Sequence, residues 1–134
     1  MASANMELVQ GIYAAFGRGD VPAVLGAMDP AIEWNEAEGN PYADGNPYVG
    51  PQAVLEGVFA RLVSEWDGFS AHPEQFLDAG DHVVMTGRYS GTCKATGRMQ
   101  SPQVVHVWTL ANGKAVRFQQ YADTAHIRQV MGLS

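Results

Sequence analysis

Residues 104–124 read Val-Val-His-Val-Trp-Thr-Leu-Ala-Asn-Gly-Lys-Ala-Val-Arg-Phe-Gln-Gln-Tyr-Ala-Asp-Thr. Asn112-Gly113, set between two runs of β-branched and aromatic residues, is the strongest short-range signal of a β-hairpin, because both turn residues must take positive φ. A two-residue loop sets Ala111 opposite Lys114, and hence Trp108 opposite Arg117 and His106 opposite Gln119. Side chains alternate between the faces of a strand. His106 and Trp108 therefore share a face with Gln119, Tyr121 and Asp123, while Val105, Val107, Thr109, Val116 and Phe118 lie on the other. A bulge would move this register by one residue. Both faces are substantially apolar.

Upstream of the hairpin the chain is also β. Phe69 to Leu77 reads as a strand interrupted by Pro73, hence an edge or bulged strand. Val83 to Cys93 and Arg98 to Leu110 read as long strands, with turns at Ala79-Gly80-Asp81 and Lys94-Ala95-Thr96-Gly97. Gly87, Gly91 and Gly97 fit sheet bends and a turn. After Ala122, Thr124 to Met131 reads as a terminal helix.

The N-terminal half is helical. Leu8, Val9, Ile12, Tyr13 and Phe16 recur at helical spacing until Gly17-Arg18-Gly19 stops them. Asp20 is an N-cap for a short second helix with Pro22 in its first turn, ended by Asp29-Pro30. Ala31 to Asn35 is a short strand. Residues 36–50 are the least regular part, and a loop of that length in a compact domain is usually functional or disordered. Tyr42 and Tyr48 argue against plain disorder. Pro51 opens a third helix with Val54, Leu55, Val58, Phe59, Leu62 and Trp66 on one stripe. Segregated helices and strands give an α+β fold with helices on one face of a curved sheet. Residues 1–134 make one domain.

Composition excludes several classes. Only 16 % of residues are charged and 46 % belong to the AVILMFWYC set, so a core can be buried and disorder is excluded. Eight Lys and Arg against 14 Asp and Glu give a net charge of −6, which lacks the footprint of a nucleic-acid or anionic-membrane binder. Cys93 is the only cysteine, so no intramolecular disulfide is expected and a reducing, cytoplasmic location is the simpler reading. The N-terminus shows no signal-peptide pattern, and no apolar stretch approaches the ~18 residues of a membrane span. His72, His82, His106 and His126 have no metal-ligand spacing, and no phosphate loop, dinucleotide fingerprint or nucleophile elbow is present. No metal or cofactor is expected.

Three stretches resemble a known family. Tyr13-Ala14-Ala15-Phe16-Gly17-Arg18-Gly19-Asp20, Gly50-Pro51-Gln52-Ala53-Val54, and His106 to Lys114 followed by Phe118 to Thr124 resemble the SnoaL-like and ketosteroid-isomerase-like group of the nuclear transport factor 2-like superfamily. The resemblance spans nearly the whole chain. It implies a cone: a strongly curved antiparallel sheet wrapped around three N-terminal helices, a short C-terminal helix, and a deep apolar pocket, usually in a homodimer. A homodimer would cover the outer, second apolar face of the sheet. The fold hosts isomerases, cyclases, epoxide hydrolases, dehydratases and non-catalytic binding modules, so function must come from the site.

Asp123 lies where the resemblance places the acid–base Asp of SnoaL-like cyclases; before Thr-Ala-His-Ile it is equally an N-cap. His106 is a candidate to polarise a substrate oxygen, or a satisfied strand histidine. Glu36, with the parity of Trp34, is a reserve base, or a solvated loop charge. Trp34, Asn35, Tyr42, Tyr48, Tyr89, Trp108, Gln119 and Tyr121 are candidate ligand contacts for a flat apolar molecule, or ordinary packing. Departures from the isomerase pattern count against steroid isomerisation. The first-helix tyrosine position falls on Ile12, with Tyr13 one place away and pointing elsewhere; the strand Asp falls near Asn35, which is no base; and His106 stands in the region of the other acid. The limonene epoxide hydrolase arrangement needs an Arg between two Asp, and Arg88 is followed by Tyr89-Ser90 with no matching Asp. The expected function is a small-molecule pocket protein, with cofactor-free isomerisation or cyclisation of an apolar carbonyl compound as its chemistry. The alternative is a non-catalytic ligand-binding or dimeric interaction module.

Overall fold

A computed structural model describes residues 3–133. Met1, Ala2 and Ser134, the ends of the expected single domain, lie outside the described residues. Helix α1, Ala4–Gly17, starts where Ser3 accepts a hydrogen bond from the Met6 amide, and buries Val9, Ile12 and Ala15. Asp20 caps α2, Val21–Gly26, by accepting from the Ala23 amide. Strand β1 is longer than Ala31–Asn35: it runs Met28–Asn35 and absorbs Asp29-Pro30. Its ladder to the neighbouring strand shifts register between Met28 and Glu33, so Pro30 forfeits no ladder bond there.

The irregular stretch is ordered. It holds a 3-10 turn at Pro41–Gly45 and a two-residue strand β2, Tyr48–Val49, paired to β1. The expected third helix is one helical rod in three parts: α3, Pro51–Val54, a π-helical stretch, Leu55–Phe59, and α4, Ala60–Glu65. A Cβ on Gly57 would stand 2.1 Å from the Tyr48 ring, so the rod packs against β2 as only glycine allows. The π stretch turns Val58 and Phe59 into the interior.

The remaining strands are β3, Trp66–Ala79; β4, His82–Cys93; β5, Met99–Gln100; β6, Gln103–Ala111; and β7, Lys114–Ala122. Helix α5, Thr124–Val130, closes the chain. The order across the sheet is β2-β1-β7-β6-β4-β3, with β5 also on β4. Here the expectation of an antiparallel sheet is corrected. β1 pairs with β7 in parallel, so the sheet is mixed. Such a pair needs a long crossover, and nearly the whole chain between the two strands supplies it. Pro102 splits the expected Arg98–Leu110 strand into β5 and β6, since proline brings no N–H to a ladder.

Curvature comes from β3 and β4. The β3–β4 register shifts between Asp67 and Ser70 and again between Pro73 and Gln75, so Pro73 sits beside a bulge on an edge strand, as its position suggests. A Cβ on Gly87 would lie 2.2 Å from the His72 carbonyl oxygen, and Gly91 has φ of 135° against Phe69. Both glycines let the strands close in and bend. The concave face, carrying Val83, Trp108, Leu110 and Phe118, packs against Val9, Ile12, Val24, Val54 and Val58 of the helices.

The hairpin carries the decisive irregularity. Ala111 faces Lys114 and Leu110 faces Ala115, but Thr109 then faces Arg117. Val116 is an extra residue, and the register beyond it moves by one. Trp108 therefore faces Phe118 and His106 faces Gln120, so Gln119 and Tyr121 point away from the concave face.

Candidate active site

The helices and the concave face enclose a cavity of about 60 Å³. Its walls are aromatic: Trp34, Phe59, Trp66, Tyr89, Trp108 and Phe118 all line it. Trp34 stacks on Phe118 with ring centroids 3.7 Å apart, and Trp108 meets both edge-on. The lining residues that keep partial exposure are Tyr13 and Phe16 of α1 and Phe69 and Ala71 of β3, so the way in runs between those elements. A ring-sized guest needs more room than this, on the order of 150 Å³ for benzene, so it enters only as lining side chains adjust.

Polar groups converge on the deep side. Glu36 is 4 % exposed and accepts from Trp34 Nε1 at 3.0 Å through Oε2. Asn46 grips its backbone from both sides, accepting from the Glu36 amide at 3.0 Å and donating to the Glu36 carbonyl at 2.8 Å. Burial pushes the Glu36 carboxyl up to about 7, against the opposing effects of the Trp34 bond and the Arg61 charge.

His106 bridges two tyrosines. Tyr13 Oη lies 2.5 Å from Nδ1 and Tyr89 Oη 2.5 Å from Nε2. Burial pulls the imidazole down to about 3, so the ring is neutral at ordinary pH. Trp108 Nε1 donates to Tyr13 Oη at 2.9 Å, and Gln120 Nε2 donates to Tyr89 Oη at 2.8 Å. Burial raises both phenols, and the Glu36 charge adds to the rise at Tyr89. The carboxyl and the tyrosine–histidine chain thus act on each other across one interior.

The 36–50 segment builds the wall behind this chain. Asn40 Oδ1 accepts from the Tyr42 amide, Asn40 Nδ2 donates to Gln120 Oε1 at 2.9 Å, and the Ala37 amide donates to the same oxygen at 3.1 Å. Tyr42 accepts from Trp66 Nε1 at 2.9 Å and donates to Glu65. Tyr48 donates to the Tyr42 carbonyl at 2.6 Å, and Arg61 holds Asp44 by two hydrogen bonds.

Of the residues singled out by sequence, Trp34, Glu36, Tyr42, Tyr89, His106 and Trp108 share the cavity. Asn35, Tyr48, Gln119, Tyr121 and Asp123 do not line it. Gln119 and Tyr121 are displaced by the bulge at Val116, and Tyr121 is 57 % exposed. Tyr48 packs behind the wall against Gly57. Asp123 is the exposed N-cap of α5, accepting from the His126 amide at 3.1 Å; that helix presents Ile127 to the cavity instead. Tyr13, expected to point elsewhere, lines the cavity beside Ile12. Tyr13, Asn40 and Gln120 escaped the sequence reading. The signal for Gln120 was present: unbroken alternation places Arg117 on the cavity face and Phe118 outside, a costly inversion that one bulge repairs. Among the described residues no cluster of three or more His, Cys, Asp or Glu side chains is arranged to hold a metal, and no helix is long and apolar enough to cross a membrane.

Residues 9–118 match the SnoaL-like domain family. The chain belongs to that family. This SnoaL-like chain is similar to an NTF2-like protein from Burkholderia thailandensis, at 40 % identity over 98 % of each chain with a TM-score of 0.91. It is similar to TerC, whose structure was determined with polyporic acid, at 30 % identity over 97 % of this chain and 99 % of that one, TM-score 0.87. A protein from Catenulispora acidiphila with a ketosteroid isomerase-like fold, in complex with trimethylamine, shares the fold at 18 % identity, TM-score 0.79, over 96 % and 94 % of the two chains. A comparison with curated proteins found no match.

Proposed function

We propose that this SnoaL-like protein binds a flat, apolar carbonyl compound and catalyses cofactor-free proton transfer on it. One observation carries the reading: a buried carboxyl, Glu36, and a hydroxyl-bearing chain, Tyr13–His106–Tyr89, face one aromatic cavity. As carboxylate, Glu36 takes a proton from the carbon next to the carbonyl. The electron pair moves onto the carbonyl oxygen, which a tyrosine hydroxyl stabilises by donating a hydrogen bond. Glu36, now protonated, returns the proton to a different carbon or to the same one. With its carboxyl at about 7, both forms are populated near neutrality, as a group that takes and gives the same proton requires. In this reading Trp34 orients Glu36, and the aromatic walls that include Trp108 and Phe118 pack against the substrate ring. Asp123 keeps the α5 cap.

1-Indanone in D₂O tests it. The wild type should speed deuterium uptake at the carbon beside the carbonyl, with a rate rising to a plateau about a midpoint near pH 7. Glu36→Gln should lower that rate by about 10²–10⁴. Polyporic acid, the compound crystallised with TerC, should inhibit the exchange competitively. A ketone that binds without wild-type exchange above buffer would turn the reading into the non-catalytic one, a ligand-binding module.

We also propose that the protein is a homodimer through the outer face of the sheet. There Leu77, Val84 and Val107 lie side by side in register, with Val105 and Tyr121 beside them. Leu77 is 45 % exposed.

A further inference from the structure

The hydrogen-bond donors around His106 can be counted, and the count leaves one over. Gln120 is oriented by the Ala37 backbone amide, which can only donate, so its Oε1 accepts and its Nε2 must donate to Tyr89. Asn40, itself fixed by the Tyr42 amide, donates to the same Oε1. Trp108 Nε1 is a donor only, so Tyr13 must accept from it. Each tyrosine oxygen thus receives one permanent donor, and each hydroxyl proton remains to be placed. Between the tyrosines stands a buried imidazole; no carboxylate is among the hydrogen-bond partners described for it. A neutral imidazole offers one N–H and one bare nitrogen. The two Tyr–His contacts use two protons, whereas Tyr13, Tyr89 and His106 together hold three. One hydroxyl proton is surplus, and the tautomer of His106 decides at which end it sits. With Nε2–H donating to Tyr89, Tyr13 donates to Nδ1 and the Tyr89 proton is released; with Nδ1–H donating to Tyr13, the Tyr13 proton is released.

We propose that His106 is a positioning residue acting as a tautomeric selector: it gives the cavity a single hydrogen-bond donor, shared between Tyr89 at the deep end and Tyr13 near the mouth, and the ligand's accepting oxygen chooses the end. The ligand class that fits is an apolar molecule with one exposed carbonyl or enolate oxygen. A second acceptor at the far tyrosine finds no free proton. The inference rests on the pocket reading above but not on Glu36 as a base. Loss of deuterium exchange with ketone binding retained would remove the catalysis and leave the selector standing.

The test uses 1-indanone against indane, which has the same ring skeleton without the oxygen. Wild type should bind indanone roughly fivefold tighter, the worth of about one net hydrogen bond. Tyr13→Phe and Tyr89→Phe should each keep most of that preference, because the remaining tyrosine is freed to donate; the double variant should lose it. Abolition of the preference by one single variant alone, or absence of any preference in the wild type, overturns the proposal. Because the double variant also orphans Trp108 and Gln120, a measurement on the intact protein accompanies it. Long-range ¹H–¹⁵N spectra of His106 should show one protonated and one bare ring nitrogen at neutral pH, with the tautomer ratio moving on addition of indanone. Two protonated nitrogens, or a ratio unmoved by bound ketone, overturns it.

Discussion

Glu36 owes its chemistry to being held away from water by its own neighbours. Asn46 clamps its backbone, Trp34 holds one carboxyl oxygen, and aromatic walls exclude solvent. The folded carboxyl keeps its proton to about pH 7, while an unfolded chain releases it near 4.5. Between those values the folded state binds more protons, so this residue's contribution to stability falls as pH rises and levels off above 7. The loss amounts to about 3 kcal/mol. His106 works in the opposite direction. Folded, it stays neutral down to about 3, and unfolded it takes a proton near 6.5, so its contribution is lost as pH falls below 6.5. Urea unfolding of wild type and Glu36→Gln at pH 5, 6, 7 and 8 separates the two, since the His106 effect is common to both. Relative to wild type the variant should gain stability steadily from pH 5 to 7 and no further by pH 8. A constant difference across the series would mean that Glu36 is solvated. Glu36 was legible from its parity with Trp34. Tyr13 was not, because its helical stripe looks the same whether it packs a core or lines a space inside it.

Elements decide what single residues can reach. Alternation along β6 correctly places His106 and Trp108 on one face, but their partners on β7 depend on one unpaired residue, Val116. A bulge is a property of two strands meeting around a curved core, and local sequence carries it only as the awkward placement of Arg117 and Phe118. The same limit applies to Asn40. Its Asn-Pro-Tyr setting is visible as a turn, whereas its bond to Gln120 spans 80 positions in the chain. Helix boundaries were clearer: Asp20 and Asp123 both cap as short polar residues do. Asp123→Ala should therefore cost about 1 kcal/mol of stability by loss of the α5 cap and leave the rate of ketone exchange per folded molecule within twofold. Thermal unfolding together with exchange assays checks both halves. A large rate loss with normal stability would return Asp123 to the chemistry.

For the whole molecule, low charge and abundant aromatic residues have two destinations. Part of that material surrounds a cavity, and part forms the outer sheet face of Leu77, Val84, Val105, Val107 and Tyr121. If that face joins two copies, light scattering after size-exclusion chromatography should give the dimer mass for wild type and the monomer mass for Val107→Lys, with far-UV circular dichroism unchanged. A monomeric wild type at micromolar concentration would refute the dimer while leaving the cavity as described. The mixed sheet, with β1 parallel to β7, brings Trp34 and Glu36 alongside Phe118 and the hairpin that carries His106. The proposed proton transfer depends on that junction producing a dry carboxyl beside hydroxyl donors. The most direct check is a carbon-13 NMR titration of the Glu36 carboxyl. A midpoint at about 7, with a matching response in the Tyr89 ring signals, is the expected result. A midpoint near 4.5 would contradict the account.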